Sequence, residues 1–198
     1  MQAINLMQAI NLFPTVVFQG DLVDPLDLNT KLLKSIKLLQ ETDSGLIKSN
    51  ISGWHSDDMI LIHHPDFEPL RKLISLALSD IMKDLNWDFS TKLSNCWVTI
   101  SEPGSSNSTH THPGALLSGV YYIKAEEGSS PLSVYDPRPS KVHINPQITT
   151  QAASMVDKIN LQVKTGRLFI FPGWLPHSVA ANKSDSDRIV FSFNIIKA

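Results

Sequence analysis

Residues 109–123, T-H-T-H-P-G-A-L-L-S-G-V-Y-Y-I, constrain this chain more than any other stretch. His110 and His112 stand two residues apart, Pro113-Gly114 makes a turn, and an apolar, aromatic run follows. In an extended strand, side chains at i and i+2 share a face, so both imidazoles can aim at one point. A third nitrogen ligand must then come from a different strand. His177, in F-I-F-P-G-W-L-P-H-S-V, is placed to supply it, and Arg188 lies eleven residues further on. Three protein ligands around a cation with open positions form a facial site, an arrangement that suits non-heme Fe(II).

The rest of the chain must put those segments side by side. After Asn86, short β-rich runs at 93–100, 117–123, 132–135, 159–163, 167–171 and 188–195 alternate with turn signals such as Glu102-Pro103-Gly104 and Pro172-Gly173. Many short strands with such punctuation read as a sandwich or barrel, here a cupin-like jelly roll. One short helix is expected near 150–157. Ahead of the strands, two stretches carry helical periodicity. One runs from about Asp24, as N-cap with Pro25 at the first helical position, to Glu41, with Leu32, Leu33, Ile36 and Leu39 on its stripe. The other spans 66–85, with Leu70, Leu73, Ile74, Ala77, Leu78, Ile81 and Leu85 on one face. The fold class is therefore mostly β with flanking helices, the two N-terminal helices covering one face of a sheet. Residues 12–19 read as a first strand, confined to an edge or end by Pro14.

With 198 residues, one domain covering 1–198 is expected: a strand and helical layer over 12–90 and a jelly-roll core over 91–198. Residues 1–6 repeat as 7–12, too short for a solenoid, and 1–11 read as a disordered or duplicated start with Met7 as the functional one. A net charge of -2 does not indicate nucleic acid or an anionic membrane as partner. The single cysteine, Cys96, excludes an intrachain disulfide and is compatible with a reducing cytoplasm. There is no apolar run of the ~18 residues that span a bilayer.

The chemistry follows from what such a site needs. Iron that binds both a co-substrate and dioxygen can give the protein three of its six positions, leaving three for a bidentate 2-oxo acid and dioxygen. The far carboxylate of a 2-oxo diacid is best held by a partly buried arginine through paired, charge-assisted hydrogen bonds. Arg188, Val190, Ser192 and Asn194 share a strand face, so Ser192 can add a hydroxyl near that carboxylate. Along 118–122 the same alternation turns Tyr122 inward and Tyr121 outward. Asn95 and Trp97 share a face of the preceding strand, where they line the pocket or, for Trp97, simply fill the core. Arg138 stands where an anionic substrate could touch it, against the simpler reading of a solvated loop charge. Trp54, in the polar stretch 49–58, is either a substrate contact or the one buried anchor of a surface loop. Asp136 is a reserve carboxylate ligand or a turn residue in an ion pair. His63 and His64 read as exposed, and His143 is given no role.

The motif H-x-H-P-G-A-L-L-S-G-V-Y-Y-I, then Y-D-P-R, then F-P-G-W-L-P-H-S-V…R-I-V-F-S-F-N resembles the 2-oxoglutarate/Fe(II)-dependent oxygenase superfamily, and within it a group found in bacteria and phages. The resemblance runs from about Leu12 to the C-terminus. It implies a double-stranded β-helix, Fe(II) and 2-oxoglutarate as metal and co-substrate, His177 as the distal iron histidine and Arg188 as the co-substrate arginine. Tyr122 matches a position where prolyl hydroxylases turn a tyrosine toward the co-substrate. The chain departs from the usual His-x-Asp or His-x-Glu, because His112 stands at the carboxylate position. Two registers are open. In one, His110, His112 and His177 all bind the metal; in the other, His112 is the first ligand and Gly114 takes the carboxylate position, as in aspartyl β-hydroxylases.

The activity so implied is a dioxygenase that hydroxylates an unidentified small molecule or peptidyl side chain while decarboxylating 2-oxoglutarate. A degenerate, metal-holding binding module on the same scaffold is the contrasting reading. A cupin-like three-histidine enzyme without 2-oxoglutarate would have no need of Arg188.

Overall fold

The computed structural model describes residues 12–138 and 156–198. The duplicated start, His143 and most of the helix expected at 150–157 lie outside them. In chain order the elements are β1 (Phe18–Asp21), α1 (Leu26–Thr42), β2 (Asn50–Ile51), β3 (Trp54–His55), α2 (Glu68–Asp84), β4 (Thr91–Ser101), β5 (Ser106–His110), β6 (Leu117–Lys124), β7 (Leu132–Tyr135), β8 (Lys158–Leu161), β9 (Arg167–Pro172), β10 (His177–Val179) and β11 (Arg188–Lys197). A 3-10 turn, Pro65–Phe67, leads into α2. The strands form a six-stranded sheet, β1-β9-β6-β11-β4-β3, and a five-stranded sheet, β2-β5-β10-β7-β8. Every pairing is antiparallel.

Alternation along the central strands sorts two cores. Val120, Tyr122, Phe169, Phe171 and Val190 of the larger sheet meet Leu132 and Val134 of the smaller one in an apolar cluster between the sheets. Their sequence neighbours Tyr121, Ile123, Ile170 and Phe191, together with Phe193, face the other way, into a second cluster with Leu32 and Ile36 of α1 and Leu70 and Ile74 of α2. Two antiparallel sheets over a shared interior, with helices on one outer face, make the double-stranded β-helix expected from the strand spacing. Each fully buried Leu or Ile of the helices contributes about 1.5–3 kcal/mol, which propensity alone would not give to isolated 17-residue segments. One polar pin crosses this layer. Asn29 donates from Nδ2 to the Ile123 carbonyl at 2.8 Å and accepts from the Tyr121 hydroxyl at 2.9 Å. Tyr121 thus points out of the barrel as parity requires, yet it is buried, because α1 lies over it.

Several expectations are corrected. The first strand is Phe18–Asp21, not 12–19: Phe13 has φ 54° and the following residues stay exposed, so pairing with β9 begins only at Phe18. Asp24 does not cap α1, since its own φ is 51°; Pro25 occupies the cap position with no side-chain bond to the helix. The polar stretch 49–58 is not a loop. It contributes β2 to the smaller sheet and β3 to the larger, and the crossing is made at Gly53, φ 75°, where a Cβ would stand 2.3 Å from the Ile100 carbonyl oxygen. Strands β5 and β10 had no strand-like composition to announce them, and their place comes from pairing with each other.

Candidate metal centre

Those two short strands carry the histidines. His110, at the end of β5, stands directly opposite His177, at the start of β10. His112 lies two residues beyond β5, and its backbone N–H donates to the Gly173 carbonyl at 2.8 Å, which ties this loop to the turn between β9 and β10. The three imidazoles gather, with one ligand atom from each within 4.8 Å of the others. His110 Nδ1 is 2.7 Å from the Ser108 carbonyl and His177 Nδ1 is 2.9 Å from the Leu175 carbonyl. A carbonyl can only accept, so each Nδ1 carries the proton and each Nε2 keeps its lone pair for a metal. His112 Nε2 and His177 Nε2 are 3.3 Å apart, close to the roughly 3 Å between adjacent nitrogens bound at about 2.1 Å to one ion. The Trp97 ring lies 5.7 Å from His112 and the Phe171 ring 4.8 Å from His177; His177 is buried, and His110 and His112 are half-buried.

Burial sets the protonation of this group. It pushes His110 below its ordinary range, His112 down to about 3 and His177 down to about 4, with the neighbouring imidazoles reinforcing the last two. All three are therefore neutral near pH 7, the form that binds a cation. The sign for stability follows. The unfolded chain takes up protons below about 6.5 while the folded protein resists until about 4, so the metal-free protein loses stability as pH falls through that window. Urea midpoints for the metal-free protein should drop between pH 7 and pH 5, and the drop should be smaller in His112→Gln. An equal drop in both proteins would show that the histidines are not held neutral by the fold.

The same recess holds a cation of the protein's own. Arg188 opens β11 and is 2% exposed. Its Nη2 donates to Ser101 Oγ at 2.8 Å, and its Nη1 is buried with no hydrogen-bond partner among the described residues. Burial lowers its pKa, though an arginine stays charged. Tyr122 lies beside it, fully buried, with its phenol pushed up to about 12 and so neutral. Thr99, Val190 and Ser192 also line this space, which measures about 560 Å³ with its open mouth. Among the described residues lining it, none is acidic. A buried guanidinium with an N–H unused among the described residues, no carboxylate in the lining and three neutral imidazoles across the recess, His110 and His177 on the facing sheet and His112 in the loop after β5, is a donor set suited to an anion that also reaches a metal. The donor set thus fits both Fe(II) and a dicarboxylate: the histidines would hold the metal, and Arg188 the far carboxylate.

Not every residue singled out in the sequence comes to this place. His110, His112, His177, Tyr122, Arg188, Ser192 and Trp97 line the recess. Trp54 does not; it sits in the helix-side core with Nε1 donating to the Asp43 carbonyl at 2.9 Å, the buried anchor of its segment. Arg138 is exposed and paired with Asp136 through Nη2–Oδ2 at 2.6 Å and Nε–Oδ1 at 2.9 Å, outside the recess. Asp136 is thereby an ion-pair residue and not part of the histidine cluster. Gly114 has φ 87° and open space around it, and brings no ligand atom. Asn95 faces inward on β4 but lies outside the recess lining. Ser101 was missed because the expected strand stopped at residue 100; one more residue of alternation from Asn95 through Trp97 and Thr99 finds it.

Residues 95–194 match the family described as "Putative 2OG-Fe(II) oxygenase", and the chain belongs to it. It is an Fe(II)- and 2-oxoglutarate-dependent oxygenase. The fold is similar to a prolyl-4-hydroxylase from Pseudomonas putida (TM-score 0.64, 12% identity, 93% of this chain and 94% of that one). It is also similar to the viral collagen prolyl hydroxylase of Paramecium Bursaria Chlorella virus-1 in its 2OG complex (TM-score 0.61, 16% identity, 92% and 96%). A third similar structure is SnoK, an alpha ketoglutarate dependent carbocyclase from nogalamycin biosynthesis (TM-score 0.64, 14% identity, 93% and 80%). No curated protein sequence matches the chain. At such identities the structural likenesses speak for the fold alone.

Proposed function

We propose that His110, His112 and His177 together hold the iron, that Arg188 with Tyr122 and Ser192 seats 2-oxoglutarate, and that the reaction is a hydroxylation. The observation that carries this reading is the buried Nη1 of Arg188, without a hydrogen-bond partner among the described residues, in a recess whose other side presents three neutral imidazoles. A degenerate metal store would have no use for a desolvated guanidinium, which is costly to bury without an anion. When bound, Fe(II) supplies the dioxygen chemistry that couples oxidation of a substrate to loss of carbon dioxide from 2-oxoglutarate. The chain's own residues do the rest. Ser101 holds one guanidinium nitrogen and leaves the other for the co-substrate, Tyr122 offers a neutral hydroxyl donor beside it, and Trp97 and Phe171 pack against the His112 and His177 rings. Hydroxylation is the outcome we favour, as in the prolyl hydroxylases of similar fold, with a small molecule or a peptidyl side chain as substrate.

We read the chain as one domain acting in a reducing compartment, the cytoplasm, on the strength of its single cysteine, buried and unpaired. No helix among the described residues is long and apolar enough to cross a membrane. The three-histidine reading is supported by the direct opposition of His110 and His177 and by their matching Nδ1–carbonyl bonds. Fe(II) binding by His110→Ala and by His112→Ala decides it. Comparable losses, on the order of 100-fold or more each, are expected, since removing one of three ligands also leaves the others poorly oriented. Loss confined to His112→Ala would give the site to two histidines with Gly114 at the third position.

A further inference from the structure

The inward faces of β4, β6 and β11 are arranged in layers, and one layer is used by neither the histidines nor the arginine. Arg188 is opposite Ser101; Val190 is opposite Thr99 and Tyr122; Ser192 is opposite Trp97 and Val120; Asn194 is opposite Asn95 and Ser118. Arg188 is therefore at one end of the interior and the Asn95–Asn194–Ser118 layer at the other. The histidines stand alongside the middle, because Trp97 of the third layer is the residue whose ring meets His112. The polar layer is at the end where the loop bearing His112 enters β6 and where the turn after β9 begins: Leu116 N–H donates to the Ile195 carbonyl and Gly173 N–H to the Leu116 carbonyl.

A dicarboxylate reaching from the histidines to Arg188 fills the arginine side of the interior. On the other side the recess is lined by Trp97, Val120 and Ser192, the layer next to the polar row, and the assignment of that side to a substrate rests on the reading given under Proposed function. Ser118 Oγ donates to Asn194 Oδ1 at 2.7 Å, and Asn194 Nδ2 donates to Asn95 Oδ1 at 3.0 Å. The donors thus all run one way across three strands, each bond strengthening the next. At the end of the row the half-buried Asn95 amide nitrogen keeps both N–H groups without a protein partner among the described residues. Apolar side chains at these three positions would join the cluster between the sheets at no desolvation cost, so a polar row here asks for an explanation outside packing. A second feature sits at the same end. Of the four tryptophans, Trp174 alone is exposed, at 53%, on the turn between β9 and β10 three residues after Phe171, which is paired with Ser118.

We infer that the Asn95–Asn194–Ser118 row is the substrate-reading edge of the site: Asn95 donates to a carbonyl or carboxylate oxygen of the substrate, and Trp174 covers the adjoining apolar part. Asn95 is then a specificity-determining residue and Asn194 the positioning residue that holds its amide with the N–H groups outward. The acceptor oxygen can belong to a peptide unit or to a free amino-acid-like metabolite.

Two probe pools separate those sources, N-acetyl amino-acid amides and free amino acids, titrated into the ¹⁵N-labelled full chain. The Asn95 side-chain signals are identified by their loss in Asn95→Asp, and the Trp174 indole signal by its loss in Trp174→Ala. At least one pool should move both sets of signals. A response to the amides assigns a peptide unit; a response to the free amino acids assigns a metabolite carboxylate. Asn95→Asp, which replaces donors by acceptors, should weaken the responding pool by about tenfold or more. Trp174→Ala should weaken it severalfold, and because that side chain lies on an exposed turn, the variant stays folded whatever Asn95→Asp does. Unmoved Asn95 signals with both pools, or equal affinity in wild type and both variants, would overturn the inference. The titration is repeated on His177→Ala. Shifts that persist there while iron binding is lost show that the row and the metal centre stand or fall separately.

Discussion

Arg188→Met should sharply weaken the 2-oxoglutarate response of the protein and leave its fold intact, or firmer than before. Arg188 is 2% exposed, spends one guanidinium nitrogen on Ser101 and leaves Nη1 without a partner among the described residues. Without an anion it is a charge taken out of water with little in return, and exchanging such a group for an apolar one of similar volume is often neutral or stabilising by about 1–4 kcal/mol. With the dicarboxylate in place the balance reverses. A paired, charge-assisted contact in a desolvated site typically costs about 2–5 kcal/mol when one partner is removed, so 2-oxoglutarate affinity should fall by about 30-fold to several-thousand-fold. Isothermal titration with 2-oxoglutarate on the Fe(II)-loaded protein measures the first effect, and urea unfolding of the ligand-free protein the second. A variant that loses stability yet binds 2-oxoglutarate normally would assign Arg188 to the core and not to the co-substrate.

Gly119→Ala should be among the most damaging single changes in the chain. Gly119 is opposite Phe193 across the β6–β11 pair, and that ring folds over it: a Cβ at position 119 would lie 2.2 Å from Cζ and under 3 Å from both Cε atoms. The ring cannot swing aside, because Phe193 is fully buried in the helix-side core. The backbone of β6 or the ring of Phe193 has to shift, and overpacking of this kind costs about 3 kcal/mol. The shift would be felt in the site as well, since Val120 and Tyr122 follow on the same strand. Urea unfolding should show the loss, and Gly119→Ala combined with Phe193→Leu should recover part of it. A single variant as stable as wild type would mean that the ring over Gly119 is not fixed as described.

Much of this architecture was legible in the chain because its strongest signals are periodic. Strict alternation in 188–195 and 117–123 predicts which side chains face inward, and Arg188, Tyr122 and Tyr121 fall as that alternation requires. The two helical stripes announce themselves through Leu32, Ile36 and Leu39 of α1 and Leu70, Ile74, Leu78 and Ile81 of α2, all buried, whereas Leu73, expected on the same face, is exposed at the stripe's margin. What escaped has physical causes. Ser-Asn-Ser-Thr in β5 has weak strand preference, and that strand exists because β10 and β2 pair with it on either side. The stretch 49–58 reads as a loop because two-residue strands carry no period; only the close approach of Gly53 to the Ile100 carbonyl reveals the crossing between sheets. Trp54 shows the limit of composition most plainly. A tryptophan in a polar segment looks like a site residue until its indole is found under the helices, bonded to Asp43. Asp136 and Arg138 are two residues apart and satisfy each other, so neither was available to the recess.

The central claim is that three imidazoles and one guanidinium, from opposite sides of the interior, share one recess and one pair of ligands. Anaerobic addition of Fe(II) and then 2-oxoglutarate to the purified protein tests it most directly. A weak visible metal-to-ligand charge-transfer band should appear only with both present, vanish in His177→Ala and weaken in Arg188→Met. Protein that binds Fe(II) stoichiometrically and shows no such band at saturating 2-oxoglutarate would contradict the account.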